Sequence, residues 1–351
     1  MTRRSCSLKT RKLCHSYSCE KALFIFFTAV NISCDGRMNH WEMENAVLLG
    51  VALKESGFQI SRICCSRPSC FDFAARKGNK TVLVKVNSDV DTFSAQSARE
   101  LKVIASRVSA ASLVVSQQTH GKPLEDDTVY SRNGVFVVTE KTIKNLALQT
   151  ANPLICAVPG GYSVEIDCEL LEKRRKELGL SVGKLAAMVG VSRRTLYGYE
   201  RGMTHASVKS AYKLAETLGV PVAKPINVLE RIQRHRQCLL IKAKQTMAGE
   251  TLLQKVLRKF AFCDVSPVYR APFDFVMNLP NRNCVIVGGV VLNSEGNLDN
   301  RMEEIISVCR VIRARPVLIM EKPNISSKNV SCVCMDELSV MRTPEDLIAS
   351  A

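Results

Sequence analysis

Tryptophan occurs once and aromatic residues make up only 6% of the 351 residues. No aromatic platform of the kind that stacks single-stranded RNA bases is evident, which disfavours an RNA assembly factor. The 15 cysteines include no CxxC pair; Cys64 and Cys65 are adjacent, Cys332 and Cys334 are separated by one residue, and no histidine stands at zinc-ligand spacing from them. That absence argues against a structural zinc site, and neither metal nor other cofactor is expected. Scattered over so long a chain, the thiols read as reduced rather than as a disulfide framework. The apolar run from Ala22 to Val30 is too short to span a bilayer. Although the basic residues before it imitate a signal peptide, no small-residue cleavage site follows. Residues 1–42 are therefore expected to be a disordered or mis-started extension, and a cytoplasmic protein without membrane contact is expected.

What the chain does have is positive charge: a formal +16, with 46% hydrophobic residues. The length calls for two or three domains, and the charge attracts polyanions whatever the fold. From Met43 the pattern predicts a helix ending at Gly57, strands over 71–75 and 81–86, a helix over 94–109 and a strand over 113–115. These elements imply an α/β domain over 43–140. A connector is expected over 141–166, in which Pro159-Gly160-Gly161 turns between short strands. An all-helical module follows over 167–220. Next comes a basic linker over 221–248, in which Arg231, Arg234, Arg236, Lys242 and Lys244 stand on a solvated or phosphate-facing helix. Ser-Cys-Phe-Asp-Phe-Ala (69–74) before Thr-Val-Leu-Val-Lys-Val (81–86) is echoed by Ala-Pro-Phe-Asp-Phe-Val (271–276) before Cys-Val-Ile-Val-Gly-Gly (284–289). This predicts a second copy of the α/β domain over 249–351.

In the helical module, Ser181 is placed to cap one helix and Ser192 the next, with Gly190 in the turn between them. Leu185, Ala186, Val189, Leu196 and Tyr199 are expected inside, together with Val208, Ala211, Ala215 and Leu218. Arg193, Arg194 and Tyr197 are left pointing outward as base readers. Ser181, Lys184, Thr195, Arg201 and Lys209 are candidates for phosphate.

Leu-Ala-x-x-x-Gly-Val-Ser and Tyr-Glu-Arg-Gly, within 167–220, resemble the Cro and phage-repressor class of helix-turn-helix (HTH) domains. The resemblance implies a five-helix module, double-stranded DNA as partner, homodimeric binding, and an ion pair between Arg175 and Glu200. That class usually offers a glutamine to phosphate where this chain has Val182. With Ser-Arg-Pro-Ser-Cys-Phe-Asp-Phe-Ala-Ala-Arg (66–76) and Arg-Glu-Leu-Lys-Val-Ile-Ala (99–105), the whole chain from Met43 resembles an archaeal family of predicted Cro-type transcriptional regulators. The first α/β domain also resembles the restriction-endonuclease-like fold of archaeal Holliday-junction resolvases. Those enzymes hold divalent metal with a helix glutamate, a strand aspartate and a Glu-x-Lys. Here Glu44, Asp72 and Lys85 fit three positions, while the fourth, which should be acidic, is Leu83. In the second copy Asp274, Ile286 and Gly288 are expected at the corresponding strand positions. No catalytic residue is therefore assigned. The expectation is a sequence-specific transcriptional regulator, and the alternative is a metal-dependent or junction-processing nuclease targeted by the HTH.

Overall fold

The structure, a computed structural model, describes residues 39–158, 160–230, 252–260, 263–279, 284–291, 297–320, 330–341, 343 and 345–349. Expectations for the chain before Asn39 and for the five basic residues from Arg231 to Lys244 lie outside them.

The first helix, α1 (His40–Glu55), begins before Met43. Asn39 caps it by accepting from the Glu42 N–H at 2.8 Å, and Trp41 packs on the core around Leu49 and Leu53. The expected boundary at 42/43 is thus corrected to 39. A capping asparagine satisfies a helix-end N–H, which apolar periodicity does not register.

The strands that follow are β1 (Gln59–Ile60), β2 (Phe73–Lys77) and β3 (Lys80–Asp89). Then come α2 (Ala95–Arg107), β4 (Ala111–Thr119), β5 (Lys122–Pro123), β6 (Thr128–Arg132), β7 (Val135–Val138) and α3 (Glu140–Ala147). Side chains alternate across the sheet, as strand geometry requires. Val82, Val84 and Val86 face α1 and α3, whereas Leu83 faces α2.

The segment expected as a connector continues this sheet. After α3, β8 (Ile155–Val158) pairs in parallel with β6, and β9 (Gly161–Val164) turns back along β8. β9 then pairs with β10 (Ala206–Ser207), which lies inside the helical module, so one sheet runs from the α/β domain into that module.

The module consists of α4 (Cys168–Glu177), α5 (Val182–Val189), α6 (Arg193–Glu200) and α7 (Val208–Leu218). Asp167, Ser181, Ser192 and Ser207 each cap the helix that follows them. Gly190 takes φ +79°, a conformation that strains any residue with a Cβ. Four helices stand where five were expected. Beyond Gly219 the chain runs extended through Pro221 and Pro225, neither of which can donate to a helix. Val222 accepts from Asp167 N–H, Lys224 N–H donates to Glu165, and Ile226 N–H donates to Pro153. Val222 joins the module's core, while Val228 and Leu229 join that of the α/β domain. Residues 221–230 are therefore a strap across both rather than the start of a free linker.

The second α/β unit comprises α8 (Leu252–Lys259), β11 (Asp264–Pro267), β12 (Phe275–Leu279), β13 (Cys284–Val291), α9 (Leu298–Ile312), β14 (Arg315–Met320), β15 (Ser331–Cys334), α10 (Met335–Val340) and α11 (Asp346–Ala349). Its order β11-β12-β13-β14-β15 repeats β1-β2-β3-β4-β7, with the same two antiparallel and then two parallel pairings.

The two units pack through the faces that carry α2 and α9, sharing one apolar core. Contacts across it are reciprocal. Glu304 on α9 accepts from Cys65 and Ser66 N–H at 2.9 and 2.8 Å; Glu100, at the matching place on α2, accepts from Tyr269 and Arg270 N–H at 3.0 and 2.7 Å. Between them Phe71 meets Phe273, residues that precede the aspartates of the two echoed segments, with ring centroids 6.1 Å apart.

Candidate nucleic-acid interface

On α6, Leu196 and Tyr199 are buried with Leu185, Ala186 and Val189 of α5, so their spacing fixes which side of the helix is left outside. Arg193, Arg194 and Tyr197 are on that outside, as are Lys184, Arg201 and Lys209. Arg201 stacks its guanidinium 5.4 Å from the centre of the Tyr197 ring. The hydroxyls of Ser181 and Thr195 are engaged locally, the first accepting from Lys184 N–H and the second lying 2.8 Å from Ser192 Oγ. α6 is braced from behind. Arg175, reached from α4, donates through Nε and Nη2 to both oxygens of Glu200 at 2.5 and 3.2 Å, and through Nη1 to the Leu180 carbonyl. The hydrogen bond that Arg175 donates to Glu200 raises the Arg175 pKa against the opposing effect of burial. On α7 the buried stripe is Ala211, Leu214 and Leu218; Val208, expected inside, is exposed.

The nuclease-like positions are built differently from the expectation. Asp72, almost wholly buried, accepts from Lys85 Nζ and from Val86 N–H, both at 2.6 Å. Burial lifts the Asp72 carboxyl, opposed by the Lys85 ammonium. Burial pulls the Lys85 amine down, but the charge and hydrogen bond of Asp72 outweigh it and leave the amine raised. Leu83 has no exposed surface and belongs to the core shared with the second unit. Glu44 points elsewhere, 3.8 Å from His40 with 42% of its side chain exposed. The helix carboxylate that acts on both Asp72 and Lys85 is Glu42, which also lies 3.4 Å from Ser88 N–H.

In the second unit Asp274 N–H donates to Gly288 O and Val290 N–H to Asp274 Oδ2, as Asp72 N–H does to Val84 O and Val86 N–H to Asp72 Oδ2. The residues matching Leu83 and Lys85 are therefore Val287 and Gly289, not Ile286 and Gly288. Where the first unit has its lysine, the second has no side chain. Arg301 of α9 supplies the cation instead, bonding Asp274 together with the Pro272 and Val290 carbonyls, and Arg67 crosses from the first unit to the other carboxylate oxygen at 2.7 Å. Each aspartate thus already has a built-in cationic partner. Among the described residues, no group of three or more His, Cys, Asp or Glu side chains is arranged to hold a metal ion.

Residues 48–153 match the PD-(D/E)XK superfamily domain, and residues 171–224 match the helix-turn-helix family. Two relatives carry the name of predicted HTH-type transcriptional regulatory proteins. The one from Haloarcula marismortui is 32% identical over 84% of this chain and 91% of its own; the one from Natronomonas pharaonis is 34% identical over 80% and 88%. The chain belongs to that family. Among solved structures, the SinR protein/SinI protein complex covers 28% of this chain and 79% of its own, with 24% identity and a TM-score of 0.15, too slight a likeness to carry any argument.

In this HTH-type regulatory protein, three positions that shape these sites escape a linear reading. Glu42 had a local signal, since Asn39-x-x-Glu42 is the spacing of a reciprocal helix cap. Arg301 had none, because its partner Asp274 precedes it by a strand pair and a loop. Gly183 in α5 is the third: a Cβ there would stand 2.6 Å from Arg193 Nε, so the glycine leaves the room in which that guanidinium lies.

Proposed function

We propose that this protein is a cytoplasmic, sequence-specific regulator of transcription that reads duplex DNA by laying α6 in the major groove. The observation that carries the reading is the division of α6. Leu196, Tyr199 and the Arg175–Glu200 pair fix it from within, while Arg194, Tyr197 and Arg201 form an outward stripe at helical spacing. Arginine can bond guanine O6 and N7 in pairs, and the net +16 charge draws the protein to phosphates whatever the sequence. Ser181, Lys184, Thr195 and Lys209 flank the stripe as phosphate contacts. The sheet from β6 through β10 and the strap over 221–230 hold the reading head on the first α/β unit.

Sharp promoter peaks in genome-wide immunoprecipitation of the tagged protein are the expected result. Arg194→Ala should weaken binding to an enriched site by about 1–3 kcal/mol and leave salt-dependent binding to random duplex nearly unchanged. Equal losses on both duplexes would assign Arg194 to phosphate. We further propose that two copies bind together, so that the enriched site is an imperfect palindrome with half-sites about one helical turn apart. An asymmetric site would count against this.

The match to the PD-(D/E)XK superfamily favours a second reading, a nuclease steered by the HTH. It is opposed by Leu83 at the missing acid and by the cations already seated on Asp72 and Asp274. Metal-dependent hydrolysis at phosphate, the chemistry this fold would use, needs an ion held by converging carboxylates. Labelled duplex and four-way junction should remain intact in magnesium or manganese. Cleavage that disappears in Asp72→Ala would establish the nuclease.

A further inference from the structure

Glycine weakens a helix, yet Gly183 sits in the first turn of α5, beside Val182. A Cβ at that position would lie 2.6 Å from Nε, 2.9 Å from Cζ and 3.0 Å from Nη2 of Arg193. The guanidinium that begins α6 is therefore folded back onto the bare backbone of α5, into room that a Cβ at 183 would take from it. Arg194 is turned about one-quarter of the way round the helix and shares its stripe with Tyr197 and Arg201. When an HTH docks, the helix before the reading helix crosses the DNA backbone. A cation drawn onto α5 is drawn away from base edges and toward phosphates. We infer that Gly183 is a positioning residue that assigns Arg193 to the DNA backbone and leaves base preference to Arg194 and its stripe. This rests on the reading of α6 as the DNA-reading helix, and it parts from the sequence expectation that both arginines read bases and that Arg201 contacts phosphate.

The test uses the full-length protein, a duplex enriched by it from a random pool, and a random duplex of equal length. Arg193→Ala should lose affinity several-fold on both duplexes alike, and the slope of log affinity against log salt should fall by about one. Gly183→Ala displaces the guanidinium, so it should reproduce that loss. The double variant Gly183→Ala/Arg193→Ala should bind no worse than Arg193→Ala alone, because the alanine at 183 acts only through the arginine. Arg193→Ala exchanges one exposed side chain and keeps the fold, so it decides the matter even if an alanine at 183 perturbs α5. Additive losses in the double variant, or a loss in Arg193→Ala confined to the enriched duplex, would overturn the inference while leaving the regulator reading intact. If the wild-type protein enriches no duplex at all, the regulator reading itself fails.

Discussion

Glu200→Ala is expected to destabilise the helical module by about 3–5 kcal/mol, well beyond the loss of an exposed ion pair. Only 10% of the Arg175 side chain and 7% of the Glu200 side chain are exposed, and the two share a double hydrogen bond. Removing the carboxylate strands a guanidinium that has little access to water, with Leu180 O as its other acceptor. Native-state hydrogen exchange would read the effect directly: amides of α4 to α7 should lose protection, while those of β3 and β4 hold theirs. Replacing both partners by apolar residues of similar size should recover much of the loss, because no charge is then left buried. Wild-type protection in the single variant would mean that the pair is solvated and that α6 is braced by its apolar contacts alone.

That pair was expected only through the resemblance to the Cro class, since its partners stand 25 residues apart; the module's caps and core were legible because their information is local. Each cap, the positive-φ glycine at 190 and the buried positions of α5 and α6 lie within about two turns of the helix they serve, and helical periodicity reports them. The α/β order was legible for the same reason, from alternation and turn residues. Failures begin where a distant partner decides. Residues 221–230 looked like a linker because their hydrogen bonds run to Pro153, Glu165 and Asp167, elements that no window around Pro221 contains. Glu44 and Glu42 are two apart on one helix, which points them in different directions. Only the placement of α1 against β2 and β3 selects the latter. Leu83 was read only as a missing acid, and its packing was not legible: it is part of the core joining the two α/β units. A carboxylate at that position would be a buried charge, so Leu83→Glu should unfold the unit rather than restore cleavage.

The second large effect is expected at that junction. Glu304→Ala should cost about 3–5 kcal/mol, since it removes the carboxylate that accepts from the buried N–H groups of Cys65 and Ser66, each such loss worth about 1–3 kcal/mol, and breaks a bond from Ser66 Oγ at 2.5 Å. Glu304 is only 3% exposed, so water has little access to replace it. Thermal unfolding should move down, and exchange at the Cys65 and Ser66 amides should accelerate far more than exchange in α5 or α6. Glu304→Gln, which keeps one acceptor oxygen and loses the charge, should fall between. The reciprocal variant Glu100→Ala should act on the Tyr269 and Arg270 amides in the same manner, because each carboxylate holds a backbone turn of the other unit. If both variants melt like the wild type, the turns are solvated and the two units are held by apolar contact only. If both are destabilised, the face of the first unit that carries α2 is committed to its neighbour in the same chain. A second copy of the protein would then have to pair through the helical module or through the opposite face of the sheet.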